Sequence, residues 1–239
     1  MIITTMTTPQ TSTPFRQIRA LYDKDTITVY QAYSELIATA AVEQQKLDAS
    51  PAFLPTRMTW IKPSWAWMMY RSGYSYKDKG QSRILALRIK HKDFQVILRQ
   101  AIVTNHGALT EDEKTKLVRV QWDPERDYSL EKLAYRSIQI GMRGEASRKF
   151  VNMVIGIEDV TEKAKALKRA LDEKPRKDSE LVDMGLVPQE TVYPLPDDIT
   201  EIFKDGGSVK KGYSKEEEKK KKKKIQSTLS TSNTTGTFI

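Results

Sequence analysis

The stretch RILALRIKHKDFQVILRQAIV, residues 83–103, holds the reading that decides the fold. Its opening, Arg83–Lys90, alternates as a strand should, and DFQVILRQAIV, Asp93–Val103, follows with the apolar spacing of an amphipathic helix. The same two periods recur on either side. Towards the N-terminus, Arg16–Tyr22 and Thr26–Tyr33 are β-branched and aromatic runs on either side of Asp23-Lys24-Asp25, which reads as two strands joined by a tight turn. Ser34 caps a helix carrying Leu36, Ile37, Ala40 and Ala41 that fades near Leu47, and residues 48–55 form a loop. Met58–Lys62 reads as a short strand, and Pro63-Ser64 opens a helix that Gly73 stops. Towards the C-terminus come a polar loop (residues 105–116), strands at Lys116–Trp122 and Ala134–Gly141, and helices at Glu145–Ile155 and Thr161–Glu173. Six strands among four or five helices, with no internal repeat, predict an α+β fold: one domain built on a mixed, largely antiparallel sheet with interspersed helices.

Around this core, residues 15–173, the composition changes. Residues 1–14 form a Thr, Ser and Pro-rich leader expected to be disordered, without the basic start or apolar run of a signal peptide. Residues 174–204 carry Pro175, Pro188, Pro194 and Pro196, which should break any regular element and leave an extension packed on or tethered to the core through Val192, Tyr193 and Leu195. Residues 205–239 form a tail whose run Lys219–Lys224 repels itself and has nothing to bury, so disorder is expected. Of the net charge of +9, the core through residue 160 carries +6, residues 161–204 carry −2 and the tail carries +5. The chain has no cysteine, which excludes disulfides, thiolate zinc sites and cysteine nucleophiles and points to the cytoplasm or nucleus. No membrane span or membrane partner is expected. There is no P-loop, GxGxxG, GxSxG or HExxH; His91 begins a helix, His106 lies in a loop, and neither has a metal-ligand partner at the right spacing.

Three groups of residues are candidates for chemistry. Residues 57–76, RMTWIKPSWAWMMYRSGYSY, hold three of the four tryptophans. On the helix opened by Ser64, the residues Trp65, Met68, Met69 and Ser72 share one face and Trp67, Tyr70 and Arg71 another, so one face is core and the other is available. Lys62 stands just before that helix, where free N–H groups and the helix dipole favour an anion such as phosphate; the alternative is that the aromatics build core and Lys62 is solvated. The second group is VQWDPERD, residues 120–127, expected as a strand-end loop in which Asp123, Glu125 and Asp127 alternate. A metal is not expected there, since the glycine and final glutamate of a calcium loop are missing; Glu125 is a candidate general base, and an internally paired turn is the alternative. The third is the arginine set of Arg16, Arg19, Arg71, Arg88 and Arg136, which face solvent singly or converge on a phosphate-bearing ligand together.

RQIRALYD (16–23), TVYQAYS (28–34), RMTWIKPSWAWMMYRSG (57–73), VRVQWDPERD (118–127) and YRSIQIG (135–141), in that order, resemble the family called domain of unknown function 4291, over about residues 15–160. That name states no activity. In outline the chain is also similar to the ADP-ribosyltransferase fold, in which a split antiparallel sheet clamps NAD. That resemblance implies NAD as cofactor, with Arg19 holding a phosphate, Tyr70 in the second marker position and Glu125 stabilising an oxocarbenium ion. Arg16, Tyr30, Trp60, Lys62, Ser64, Trp67, Arg71, Asp123 and Arg136 are then candidate ligand contacts. The function expected is NAD-using ADP-ribosyl or glycosyl transfer to a nucleic-acid or protein acceptor. The alternatives are a non-catalytic module that binds nucleic acid, and an interaction protein whose aromatic segment is all core.

Overall fold

A computed structural model describes residues 13–104 and 107–204 of the 239. The expectations for residues 1–12, His106 and the chain beyond residue 204 lie outside the described residues. The fold is α+β, as expected. Its first elements are β1 (Arg19–Ala20), β2 (Thr26–Tyr33), α1 (Glu35–Gln44), β3 (Thr59–Ile61), α2 (Trp65–Ser72), β4 (Arg83–Lys90), α3 (His91–Arg99) and β5 (Ala101–Val103). These are followed by α4 (Glu111–Thr115), β6 (Val118–Arg126), β7 (Lys132–Met142), α5 (Glu145–Met153), β8 (Val154–Asp159) and α6 (Thr161–Glu173), then by α7 (Asp178–Asp183), β9 (Thr191–Val192) and α8 (Asp197–Lys204).

The strands form an antiparallel sheet in the order β2-β4-β8, a four-stranded sheet in the order β3-β7-β6-β5 whose only parallel pair is β5 with β6, and a short β1-β9 pair. The antiparallel sheet is the central layer, because side chains on successive strand residues point to opposite faces. Leu85, Leu87 and Ile89 of β4, with Ile27 and Val29 of β2, enter one core with helices α1, α3, α5 and α8. Ile84 and Ala86, with Tyr30, enter a second core with α2, α6 and α7. The two larger sheets meet at one bridge, where the backbones of Tyr30 and Lys62 exchange hydrogen bonds of 2.7 and 3.0 Å.

Several boundaries differ from the expectation. The apolar run ending at Val103 divides: α3 stops at Arg99, and Ala101–Val103 pairs with β6. Likewise the helix read to Ile155 ends at Met153, and Val154–Asp159 becomes β8 on β4. In both places short β-branched runs have no decisive period of their own, and a neighbouring strand settles them. The polar loop contains α4, held by a capping box between Thr110 and Glu113. β6 runs four residues past Trp122, through Pro124, so Asp123 and Glu125 lie in a strand rather than a loop. Proline is tolerated because β5 covers only Val118–Val120, leaving β6 an edge strand at Pro124.

The extension is part of the fold, since its prolines fall between elements rather than within them. Tyr193, Ile199 and Phe203 are buried in the larger core. The Tyr193 ring meets Tyr22 and Phe94 edge-on, and its hydroxyl is 2.9 Å from His91 Nδ1.

Candidate functional site

The helix α2 is positioned by its own ends. Ser64 Oγ accepts from the Trp67 N–H at 3.1 Å, and Gly73 closes the helix with φ 55°, which a glycine adopts without steric cost. Tyr74 and Ser75 continue at positive φ, a costly path for non-glycine residues, held by Ser75 Oγ donating to the Ser82 carbonyl at 2.6 Å and by the Tyr74 hydroxyl donating to the Tyr128 carbonyl. This turn carries Asp78 and Gln81 to the edge of a cleft of about 580 Å³. Gln31 and Tyr33 of β2, Arg57, Trp60 of β3, Lys62 and Arg71 line it. Arg57 and Arg71 are exposed, whereas Lys62 is only 5% exposed.

Burial, reinforced by the Arg71 charge, pulls the Lys62 amine down to about 7, although Asp123 opposes the shift. Among the described residues, Lys62 Nζ donates to the Trp60 carbonyl over a long 3.4 Å. Lys62 is therefore buried, which overturns the alternative in which it is solvated. The Trp60 indole lies across Gly141 on the paired strand β7, and a Cβ there would come within 2.9 Å of three ring atoms. Gly141→Val should push the indole into the cleft, lowering stability by roughly 1–3 kcal/mol and weakening ligand binding. Denaturant unfolding reads the first effect, and unchanged stability would show that the indole moves freely.

A second polar group lies at the start of α2. Ser64 Oγ donates to Glu125 Oε1 at 3.0 Å, and the Arg126 N–H donates to the same oxygen at 2.9 Å. Glu125 is buried at an irregularity in the β6–β7 register, and burial raises its pKa against the pull of Arg126, Ser64 and Ser137. Oε1 of Glu190, on the extension, accepts from the Trp65 N–H at 2.6 Å. Burial pushes the Glu190 carboxyl up to about 8, with Glu125 adding to the shift and the Trp65 N–H and Arg19 opposing it. The helix start expected to receive a phosphate thus holds the chain's own carboxyl, which no periodicity in the sequence signals. Arg19 Nη2 donates to the Glu190 backbone carbonyl at 2.9 Å.

The remaining candidates lie elsewhere. Trp67, expected on the available face, is buried and stacks on the exposed Tyr70 at 5.0 Å, and Arg126 covers the other ring with its guanidinium 4.0 Å from the Tyr70 centroid. Arg136 Nη1 donates to the Trp122 carbonyl at 2.8 Å, tying β7 to β6, and its guanidinium lies 5.4 Å from the Phe15 ring centroid; Arg16 lies 5.9 Å from the Trp122 ring centroid, so the two arginines also fasten the N-terminal segment to β6 and β7. Tyr30 packs edge-on against Trp65 at 5.1 Å, facing a smaller cavity of about 300 Å³ that Arg88 also lines. Of the expected contacts, Trp60, Lys62 and Arg71 share the cleft. Arg19, Ser64 and Glu125 gather behind it with Glu190.

The model of the family described as domain of unknown function (DUF4291) matches residues 17–193, and the chain belongs to that family. The match extends past residue 160 and takes in the Glu190 segment. A search of curated proteins finds no match. The ADP-ribosyltransferase-like layout gains no support: Arg19 is on a two-residue strand, Tyr70 on a helix, and Glu125 is sealed within β6. Among the described residues no helix is long and apolar enough to cross a membrane.

Proposed function

We propose that this member of the DUF4291 family binds a small anionic ligand carrying a flat ring, a nucleotide for example, in the cleft around Lys62. The observation that carries this reading is a nearly buried lysine, two exposed arginines and an indole that line one cavity. Burying an amine next to a guanidinium is costly, and a bound anion relieves that cost. Arginine supplies planar, permanent hydrogen-bond donors for phosphate or carboxylate, and tryptophan a face for a ring. A volume of about 580 Å³ suits a small molecule better than a nucleic-acid strand.

NAD is one such ligand and keeps the transferase expectation in play. Glycosyl transfer would require Glu125 at the ligand, yet its carboxylate is committed to Ser64 and the Arg126 N–H. Binding is therefore the reading the geometry favours, and transfer is an arm of its test. Calorimetry with ADP, NAD and pyridoxal 5′-phosphate at low salt should give saturable binding of at least one of them, weakened about tenfold or more by Arg71→Ala. If none of the three saturates, the reading fails. Binding confined to long oligonucleotides and steeply dependent on salt would favour the nucleic-acid module instead.

A further inference from the structure

We propose that Lys62 forms an imine with the ligand of this cleft, and that the ligand is an anionic aldehyde or ketone. This rests on the anion-binding reading above and gives it a substrate class. A lysine that only attracts phosphate works as a hydrated cation near the surface. Lys62 is instead covered, lines the cleft, and among the described residues its Nζ makes one long hydrogen bond, to a backbone carbonyl, so little holds Nζ as an ammonium. Burial, and after it the neighbouring Arg71 charge, favours the neutral amine over the opposing pull of Asp123, and the lone pair of that amine is a nucleophile. Arg57 and Arg71, the exposed cations of the same cleft, supply the anion grip that Lys62 in its neutral form cannot. The charged groups around Lys62 are Arg71 and Asp123, which act on its charge, and Arg57 and Asp78, which line the same cleft.

The step balances without a further reactant. The Nζ lone pair adds to the carbonyl carbon as the C=O π pair moves to oxygen, and that oxygen takes a proton from nitrogen. The carbinolamine then loses its hydroxyl with one more proton from nitrogen, as water, leaving a C=N bond. Tyr33 lines the same cleft, and burial keeps its hydroxyl a neutral hydrogen-bond donor, while both protons of the departing water come from Nζ.

The test uses the full chain, pyridoxal 5′-phosphate as probe and borohydride to reduce any imine, with modified lysines located by peptide mass mapping. At pH 7.5 an exposed lysine of ordinary pKa is neutral only about once in a thousand molecules, whereas most Lys62 should be neutral. Lys62 should therefore be labelled at least tenfold faster than the exposed Lys24 or Lys149. Inorganic phosphate or ADP should slow that labelling at Lys62 and not at Lys24, and pyridoxal, which lacks the phosphate, should label Lys62 at least tenfold more slowly. In Lys62→Met the fast phase should vanish while surface labelling persists. Labelling of Lys62 no faster than Lys24, in a protein whose calorimetry still shows saturable ADP binding, overturns the imine and leaves the binding reading intact. Absence of both fast labelling and binding overturns the two together.

Discussion

Lys62→Met should make the protein more stable at pH 6, by about 2–4 kcal/mol, while weakening ligand binding. The shift of the Lys62 amine from its ordinary 10.5 to about 7 means that the fold disfavours the charged form. Each pKa unit corresponds to about 1.4 kcal/mol, so roughly 5 kcal/mol is the upper limit, and local relaxation and water entry reduce it. The sign fixes the pH window. Below about 7 both folded and unfolded chains hold the proton, and the full cost of the buried ammonium is present. From there towards 10.5 the unfolded chain binds more protons than the folded one, so the cost fades as pH rises. Methionine has similar length and no charge, and its advantage should shrink accordingly. Urea unfolding at pH 6 and pH 10 measures it, and an equal gain at both pH values would rule out a titrating lysine as the cause. A protein that keeps a destabilising amine in a cleft gives up stability where ligand chemistry needs a reactive group.

Glu190→Gln should show the opposite dependence. Glutamine keeps an oxygen for the Trp65 N–H and removes the ionisation. The Glu190 carboxyl rises from 4.5 to about 8, so the wild-type protein is favoured in acid and loses that advantage as pH rises through this interval. The glutamine variant should match wild type near pH 4.5 and exceed it by about 2–4 kcal/mol above pH 8, after allowance for Arg19, which stabilises the carboxylate, and Glu125, which opposes it. Denaturant midpoints across pH 5–9 provide the measurement. A difference that stays constant over that range would mean that Glu190 is already ionised in the folded protein. Between pH 7 and 8 both Lys62 and Glu190 are largely uncharged, and binding measured there samples the state in which Lys62 is a nucleophile.

Much of the fold is legible in the sequence because its signals are local. Thr26–Tyr33, Arg83–Lys90 and Thr161–Glu173 have the predicted boundaries, and Ser64 and Gly73 bound α2 by the cap chemistry their side chains imply. The segments misread at Val103 and Ile155 are those whose identity depends on pairing with another strand, Val118–Val120 for the first and Leu85–Ile89 for the second. The site divides in the same way. Trp60, Lys62 and Arg71 lie within fifteen residues, and their proximity in sequence survives as proximity in the cleft. Gln31 and Tyr33 arrive from another sheet through the Tyr30–Lys62 bridge, and Glu190 from the far end of the domain, which no spacing reveals. Arg16 and Arg136 show the converse: arginines among aromatics that fasten the fold together instead of holding a ligand.

The pairing of β1 with β9 also sets an order of events during synthesis. Arg19 faces Val192, so the strand begun near the start of the domain waits for nearly its whole length before its partner exists. When translation has reached Glu173, every strand of both larger sheets has been made, but neither Glu190 nor Tyr193 has. At about 5–20 residues per second the remaining twenty or so residues take roughly 1–4 s. Through that interval the first turn of α2 keeps a Trp65 N–H without its carboxyl partner, and the nascent domain presents an anion-accepting end that the finished protein has closed.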